Sequence, residues 1–242
     1  MSAGSSGDLP TGPAGAEMSI ATPAVTVPVV AMIRTLGLIA LICGFAVTLA
    51  YQWTKPYVEA NQRITTARAV SAVLPTAATQ KAFVLGADEV KAAAPDSAPE
   101  ETVYVGYDAA GRIVGVAARG ASRGYADLVH VMYAYDPQCA CINAMKVVKM
   151  NETPGIGDGV TKDPGFLENF AALDARLNAD GSALANRIVT VKHGTKREAW
   201  QIDAISGATV TSKAIGRALD QSAQRVVPRV HRHLAELEKG GQ

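Results

Sequence analysis

From Thr35 to Thr54 the chain carries 20 consecutive uncharged residues, rich in Leu, Ile, Val and Ala. As a helix rising about 1.5 Å per residue, such a run is about 30 Å long, the thickness of a bilayer's hydrocarbon core. Arg34 and Lys55-Pro56 bound it, and Tyr51 and Trp53 near its end are amphipathic rings that favour the headgroup layer. The pattern predicts a transmembrane helix over residues 34–54. Ahead of it, residues 1–33 are mostly small and polar, a composition that predicts a disordered tail. A cleaved export signal is the other reading of the same run, with Arg34 as charged flank, Leu36–Phe45 as apolar centre and Thr48 and Ala50 before the cut. The run exceeds the usual signal centre of about 7–15 residues, which favours a retained anchor. Either reading exports the C-terminal part of the chain.

After the span, Pro56 suits the first position of a helix, and Val58, Ile64, Ala67, Val70 and Leu74 supply a loose helical apolar face before Pro75. Residues 55–100 are therefore expected to form a stalk helix and a linker, irregular from Thr76 to Glu101 apart from one short helix over 87–94. From Thr102 the texture turns β-rich. Thr102–Tyr107 and Arg112–Ala118 flank a hairpin signal ending in Gly111, and Leu128–Tyr135 and Ile142–Met150 bracket a second turn at 136–139. Phe166–Leu173 has the spacing of a short helix, and Arg187–His193 and Trp200–Ile202 read as strands. A long helix starts near Thr211, with Ile215, Ala218, Leu219, Ser222 and Val226 on one face until Pro228 interrupts it. Strands punctuated by segregated helices predict an α+β domain with antiparallel strands over 101–228, then a C-terminal helix or tail over 229–242.

Charge and cysteine content remove several function classes. Twenty-three Lys and Arg against 22 Asp and Glu give a net charge of +1, so nothing points to a nucleic-acid partner. Three cysteines, Cys43, Cys139 and Cys141, are too few for a disulfide framework or a four-Cys metal site. Cys139 and Cys141 alternate on a predicted strand and read as two buried small side chains rather than a reactive pair. None of His130, His193, His231 and His233 has partners at metal-ligand spacing, and Lys192, Lys196 and Arg197 read as a solvated loop. Lys55, Arg63 and Arg68 follow the span whereas only Arg34 closely precedes it, so the charge count alone would put the C-terminal domain in the cytoplasm.

The candidate chemistry lies where the last strand yields to the last helix, Asp203-Ala204-Ile205-Ser206-Gly207-Ala208-Thr209-Val210-Thr211-Ser212. A helix start leaves backbone N–H groups unpaired and carries partial positive charge, so it accepts an anion. Gly207 and Ala208 allow close approach, and the hydroxyls of Ser206, Thr209, Thr211 and Ser212 crowd the same corner. From these residues alone, an ordinary helix start with a Ser or Thr cap explains the pattern as well.

Ser206-Gly207-Ala208-Thr209, preceded by Asp203 and followed by Thr211-Ser212, resembles the flavinylation motif of FMN-binding domains in bacterial redox-driven ion pumps. Asn151-Glu152-Thr153-Pro154-Gly155-Ile156-Gly157-Asp158 is similar to that family's Glu-Thr-Pro-Gly-Leu-Gly loop, with Ile156 in place of Leu. Gly124-Tyr125 before a strand is a third and weaker match, closer to the G subunit of the Rnf complex than to the C subunit of the Na+-translocating NADH:quinone oxidoreductase. The resemblance spans about residues 34–225.

That resemblance implies FMN held covalently through its phosphate on Thr209, with Ser206, Gly207, Ala208, Thr211, Ser212 and the loop Glu152, Thr153, Pro154, Gly155 around it. It implies a flavin transferase for maturation, the other membrane, iron-sulfur and flavin subunits of an Rnf complex as partners, and an inner-membrane, single-pass chain with its FMN domain outside the cytoplasm. Such a chain relays electrons and does not turn over alone. An exported FMN-binding sensory or scaffold module, and a secreted reductase with a cleaved N-terminus, are the competing expectations.

Overall fold

A computed structural model describes residues 28–86, 89–94, 97 and 101–241. The expected tail therefore lies outside the described residues up to position 27. The chain divides into two compact units, Met1–Pro56 and Tyr57–Gln242.

Helix α1 (Val29–Val73) runs unbroken through Pro56. In the first unit its apolar side chains, from Val29 and Val30 through Leu41, Phe45, Leu49 and Trp53, are all exposed. This is a helix long and apolar enough to cross a membrane. An unbroken exposed apolar cylinder of this kind needs lipid or protein around it.

The second unit is built on a seven-stranded antiparallel sheet in the order β2-β1-β3-β4-β5-β6-β7. The strands are β1 (Thr79–Leu85), β2 (Val90–Ala92), β3 (Thr102–Tyr107), β4 (Ile113–Arg123), β5 (Leu128–Asp136), β6 (Cys141–Lys149) and β7 (Leu173–Asp174). Alternation along the strands sorts two cores. Val103, Val105, Val116, Ala118, Val129, Val131 and Tyr133 face a larger cluster with helix α3 (Thr209–Arg232), whereas Ala117, Met132 and Ala134 face Ala69, Val70, Val73 and Leu74 at the end of α1. Both faces are thus covered, which explains why β4 and β5 are buried along almost their whole length.

Several elements differ from the sequence expectation. In the stretch read as linker, β1 pairs along β3, and Val90–Ala92 form a strand where a helix was expected; residues 87–88 lie outside the described residues. Here tertiary pairing overrides the helix propensity of an Ala-rich stretch. The helix expected at 166–173 is shorter, α2 (Pro164–Glu168), capped by Asp163 accepting from the Phe166 N–H, and Leu173 has turned into β7. The strands expected at 187–193 and 200–202 are present as β8 (Val189–Val191) and β9 (Gln201–Asp203), which pair parallel in a separate two-stranded sheet. Helix α3 continues through Pro228 to Arg232, followed by α4 (Leu234–Lys239). Burial of Val226, Val227, Val230 and Leu237 offsets the backbone hydrogen bond that proline removes.

Cys139 and Cys141 are not two buried thiols. They form a disulfide at the tip of the β5–β6 hairpin, where Cys139 is exposed and Cys141 buried.

Candidate functional site

Glu152 joins the three separated sequence segments. Its Oε1 accepts the backbone N–H of Tyr125 at 3.0 Å and of Ala126 at 3.3 Å, and its Oε2 accepts the Thr211 hydroxyl at 2.9 Å. A Cβ placed on Gly124 would sit 2.3 Å from Glu152 Oε1, and one on Gly157 2.6 Å from the Glu152 Cβ. Both glycines are present because the glutamate side chain occupies the space theirs would take. Glu152 is therefore turned inward as a tie between segments, not laid along an open surface.

Thr153, Pro154, Gly155 and Ile156 are exposed on the loop after it. The loop is closed by the Gly157 N–H on the Thr153 carbonyl at 2.9 Å and by the Gly155 N–H on Asp158 Oδ1 at 2.7 Å, with Gly155 at φ +80. Lys162 pairs with Asp158 at 2.7 Å, and the hydrogen bond from Lys162 leads the causes that hold the Asp158 carboxyl below its usual range.

The four hydroxyls at the start of α3 are not equivalent. Thr211 is buried and committed to Glu152. Ser212 is fully buried, donates to the Ala208 carbonyl at 2.9 Å and accepts the Ile205 N–H at 3.2 Å. Thr209, the first residue of the helix, is half-buried, and among the described residues its hydroxyl reaches only the Ile205 carbonyl, at 3.4 Å. Ser206 is exposed with no hydrogen-bond partner among the described residues. The helix is entered through Gly207 at φ +86, a left-handed conformation that glycine adopts without strain, and its N-cap, Ala208, provides no side-chain cap. The ordinary Ser or Thr cap is thus absent: the Ser212 N–H reaches the Ala208 carbonyl at 2.9 Å, whereas the N–H groups of Thr209, Val210 and Thr211 have no side-chain cap among the described residues.

Supports that the sequence did not disclose hold the strand leading into this corner. Asn169, 4% exposed, accepts the Asp203 N–H at 2.9 Å and the Lys196 ammonium at 3.1 Å through Oδ1, and donates to the Asp203 carbonyl at 3.3 Å. Asp203 Oδ2 accepts the Gly194 N–H at 2.9 Å, while Oδ1 is buried without a partner among the described residues. These contacts cross 27 or 34 residues of sequence or close a turn through a backbone amide, and no local spacing signals them. Lys196 is exposed, as expected, and its ammonium also donates to Asn169 at this corner.

The electrostatics favour an anion. Lys213 and Arg217 are exposed one and two turns after Thr209, and Arg217 is braced by the Ser122 hydroxyl at 3.3 Å and the Arg123 carbonyl at 2.7 Å. A hollow of about 400 Å³ beside the helix is lined by Val189, Lys213 and Arg217 and by Arg187 and Asp220, which pair with each other at 2.6 Å. Each of the three segments also exposes an apolar side chain: Tyr125, Ile156 and Val210 are 74%, 58% and 50% exposed. An uncapped helix start, a hydroxyl with one long hydrogen bond among the described residues and nearby cations fit a flavin phosphate, and exposed apolar side chains fit a planar ring.

Residues 124–224 match the family described as the FMN-binding domain. The chain is 27% identical over 195 residues to the G subunit of the ion-translocating oxidoreductase complex of Methanosarcina acetivorans, covering 81% of this chain and 93% of that one. It is 33% identical over 132 residues to the G subunit of the Na+-translocating ferredoxin:NAD+ oxidoreductase complex of Acetobacterium woodii, covering 52% of this chain and 56% of that one. Among solved structures, Shewanella oneidensis NqrC superposes with a TM-score of 0.57 at 22% identity, over 74% of this chain and 99% of that one, a likeness of fold. Residues 124–224 are thus similar to the FMN-binding domain family, in a chain that is similar along most of its length to the G subunit of an ion-translocating oxidoreductase complex.

Proposed function

We propose that this chain is the membrane-anchored electron-relay subunit of an Rnf-type ferredoxin:NAD oxidoreductase, carrying FMN as a phosphoester on Thr209. The observation that carries this reading is the sorting of hydroxyls at the start of α3: Thr211 and Ser212 are consumed by the fold, whereas Thr209 stands almost unused at an uncapped helix N-terminus. Thr209 is an acceptor and not a catalyst. Its hydroxyl takes the FMN phosphoryl from FAD held by a separate flavin transferase, with AMP as the leaving group.

Around that bond the chain's own residues position and neutralise. The first-turn N–H groups and Lys213 offset the phosphodiester charge, Gly207 leaves room for it, and Glu152 fixes the three segments to one another. Tyr125, Ile156 and Val210 supply apolar cover for a ring. When bound, FMN supplies the reversible redox chemistry of the relay, and the protein sets its orientation and electrostatics. The exposed apolar stretch of α1 supports anchoring, and the Cys139–Cys141 disulfide supports an extracytoplasmic domain, because disulfides persist in oxidising compartments. That outweighs a charge count resting on three basic residues.

Expression of the full chain with a flavin transferase, followed by a denaturing gel under ultraviolet light, tests the reading. A fluorescent band at full length that is lost in Thr209→Val supports it. A dark wild-type band, or a Thr209→Val band as bright as wild type, overturns it.

A further inference from the structure

One pair of reactive side chains plays no part in the flavin site. Cys139 and Cys141 are bonded across a single residue, Ala140, at the tip of the β5–β6 hairpin. The hairpin does not need the bond. Asp136 pairs with Cys141 and Tyr135 with Ile142, and the turn is closed further by the Gln138 N–H on Asp136 Oδ1 at 2.8 Å. The Ala175 N–H on the Ala140 carbonyl at 3.0 Å then ties the tip to the segment after β7. A cross-link stabilises chiefly by removing loop-closure entropy from the unfolded chain, a gain that grows with the logarithm of loop length. With cysteines two positions apart that gain is near its minimum, so the bond is poorly placed as a staple. It is well placed for exchange: Cys139 is exposed and Cys141 is buried, so an incoming thiolate meets Cys139 first.

The geometry points to Cys139–Cys141 as a site of thiol–disulfide exchange, taking two electrons from a dithiol. A thiolate of the dithiol attacks Cys139 Sγ, forming a mixed disulfide and breaking the bond to Cys141 Sγ, which leaves as a thiolate and takes a proton. The second thiol of the dithiol loses its proton and attacks its own sulfur in the mixed disulfide. Cys139 is released and protonated; the dithiol becomes a disulfide and the protein a dithiol. The site is separate from the flavin. Strand β5 starts four residues after Gly124 and ends at Asp136, and at about 3.3 Å per residue it puts about 26 Å between its two ends. The inference therefore stands whether or not Thr209 carries FMN.

The test uses the full chain in detergent, dithiothreitol as the dithiol, and peptide-level mass spectrometry after maleimide labelling. Without reductant, the peptide holding Cys139 and Cys141 takes no label. With dithiothreitol it takes two labels within minutes while the circular dichroism of the folded chain is unchanged, and oxidised glutathione reverses this. Two single variants test the order of attack: Cys141→Ser, which keeps the exposed thiol, forms a mixed disulfide with glutathione at least tenfold faster than Cys139→Ser, which keeps the buried one. Label without reductant, reduction only after unfolding in guanidinium, or loss of the fold on reduction overturns the proposal. Equal rates for the two single variants overturn the assigned order.

Discussion

Glu152 is one carboxylate shared by two backbone N–H groups and a threonine hydroxyl. Hydrogen bonds to a charged acceptor contribute about 1.5–3 kcal/mol, less where water competes, and this group is half-buried. Glu152→Ala is expected to cost about 2 kcal/mol in urea unfolding of the second unit. Thr211→Val should cost about 1 kcal/mol, and the double variant less than the sum, because both changes remove the same bond. Thr209→Val stands in contrast: among the described residues its hydroxyl makes one hydrogen bond, at 3.4 Å, so the thermal midpoint should shift by no more than about 1–2 °C. A destabilised Thr209→Val would mean the hydroxyl belongs to the fold. These roles were only partly legible in the sequence. The motif letters gathered four hydroxyls around the start of α3, but spacing could not tell which are consumed, because the partner of Thr211 lies 59 residues away.

At the scale of elements, helix α3 sets the candidate corner, since Thr209 is its first residue and its buried stripe fixes it on the sheet. Its approach is close: a Cβ on Gly120 of β4 would meet the Ala218 carbonyl oxygen at 2.4 Å. Gly120→Ala must push the helix off the sheet, at a cost of about 1–3 kcal/mol. Thermal unfolding should show that loss, and the corner around Thr209 should shift with the helix, lowering the yield of flavinylated protein. The 3.6-residue periodicity of α3 was readable in the sequence because one face is buried throughout. Strand β1 was hidden because its residues carry no burial alternation of their own, with exposed positions from Thr79 to Lys81, and only pairing with β3 makes it a strand. The parallel pairing of β8 with β9 was equally hidden, since three-residue strands leave no directional pattern.

For the whole molecule, the second unit contains both of its cores, including the last turns of α1, so it should fold without the apolar segment. A chain starting at Tyr57 is expected to be soluble with a cooperative unfolding transition. A chain starting at Ala78 uncovers Ala117, Met132 and Ala134 and should aggregate. The pH range of stability follows from groups in the same unit. The hydrogen bond from Arg176 leads the causes that hold the Asp174 carboxyl below its usual range, and the backbone N–H of Arg112 does so for Asp108. Folded values below unfolded ones give stability that is present above about pH 4 and is lost as pH falls through the lower folded values. Burial raises the Tyr133, Tyr135 and Tyr107 phenols, so their contribution is present below about pH 10 and is lost above it. Unfolding free energy should therefore form a plateau between these limits, and a maximum outside it would contradict the assignment.

The central claim is a single bond between Thr209 and a flavin phosphate. Mass spectrometry of the tryptic peptide containing Thr209, from protein made in its native membrane, measures it directly. The expected result is a peptide heavier by one FMN less one water, with fragment ions placing the added mass on Thr209. A bare peptide from cells that flavinylate other proteins, or the added mass on Ser206, Thr211 or Ser212, would contradict it.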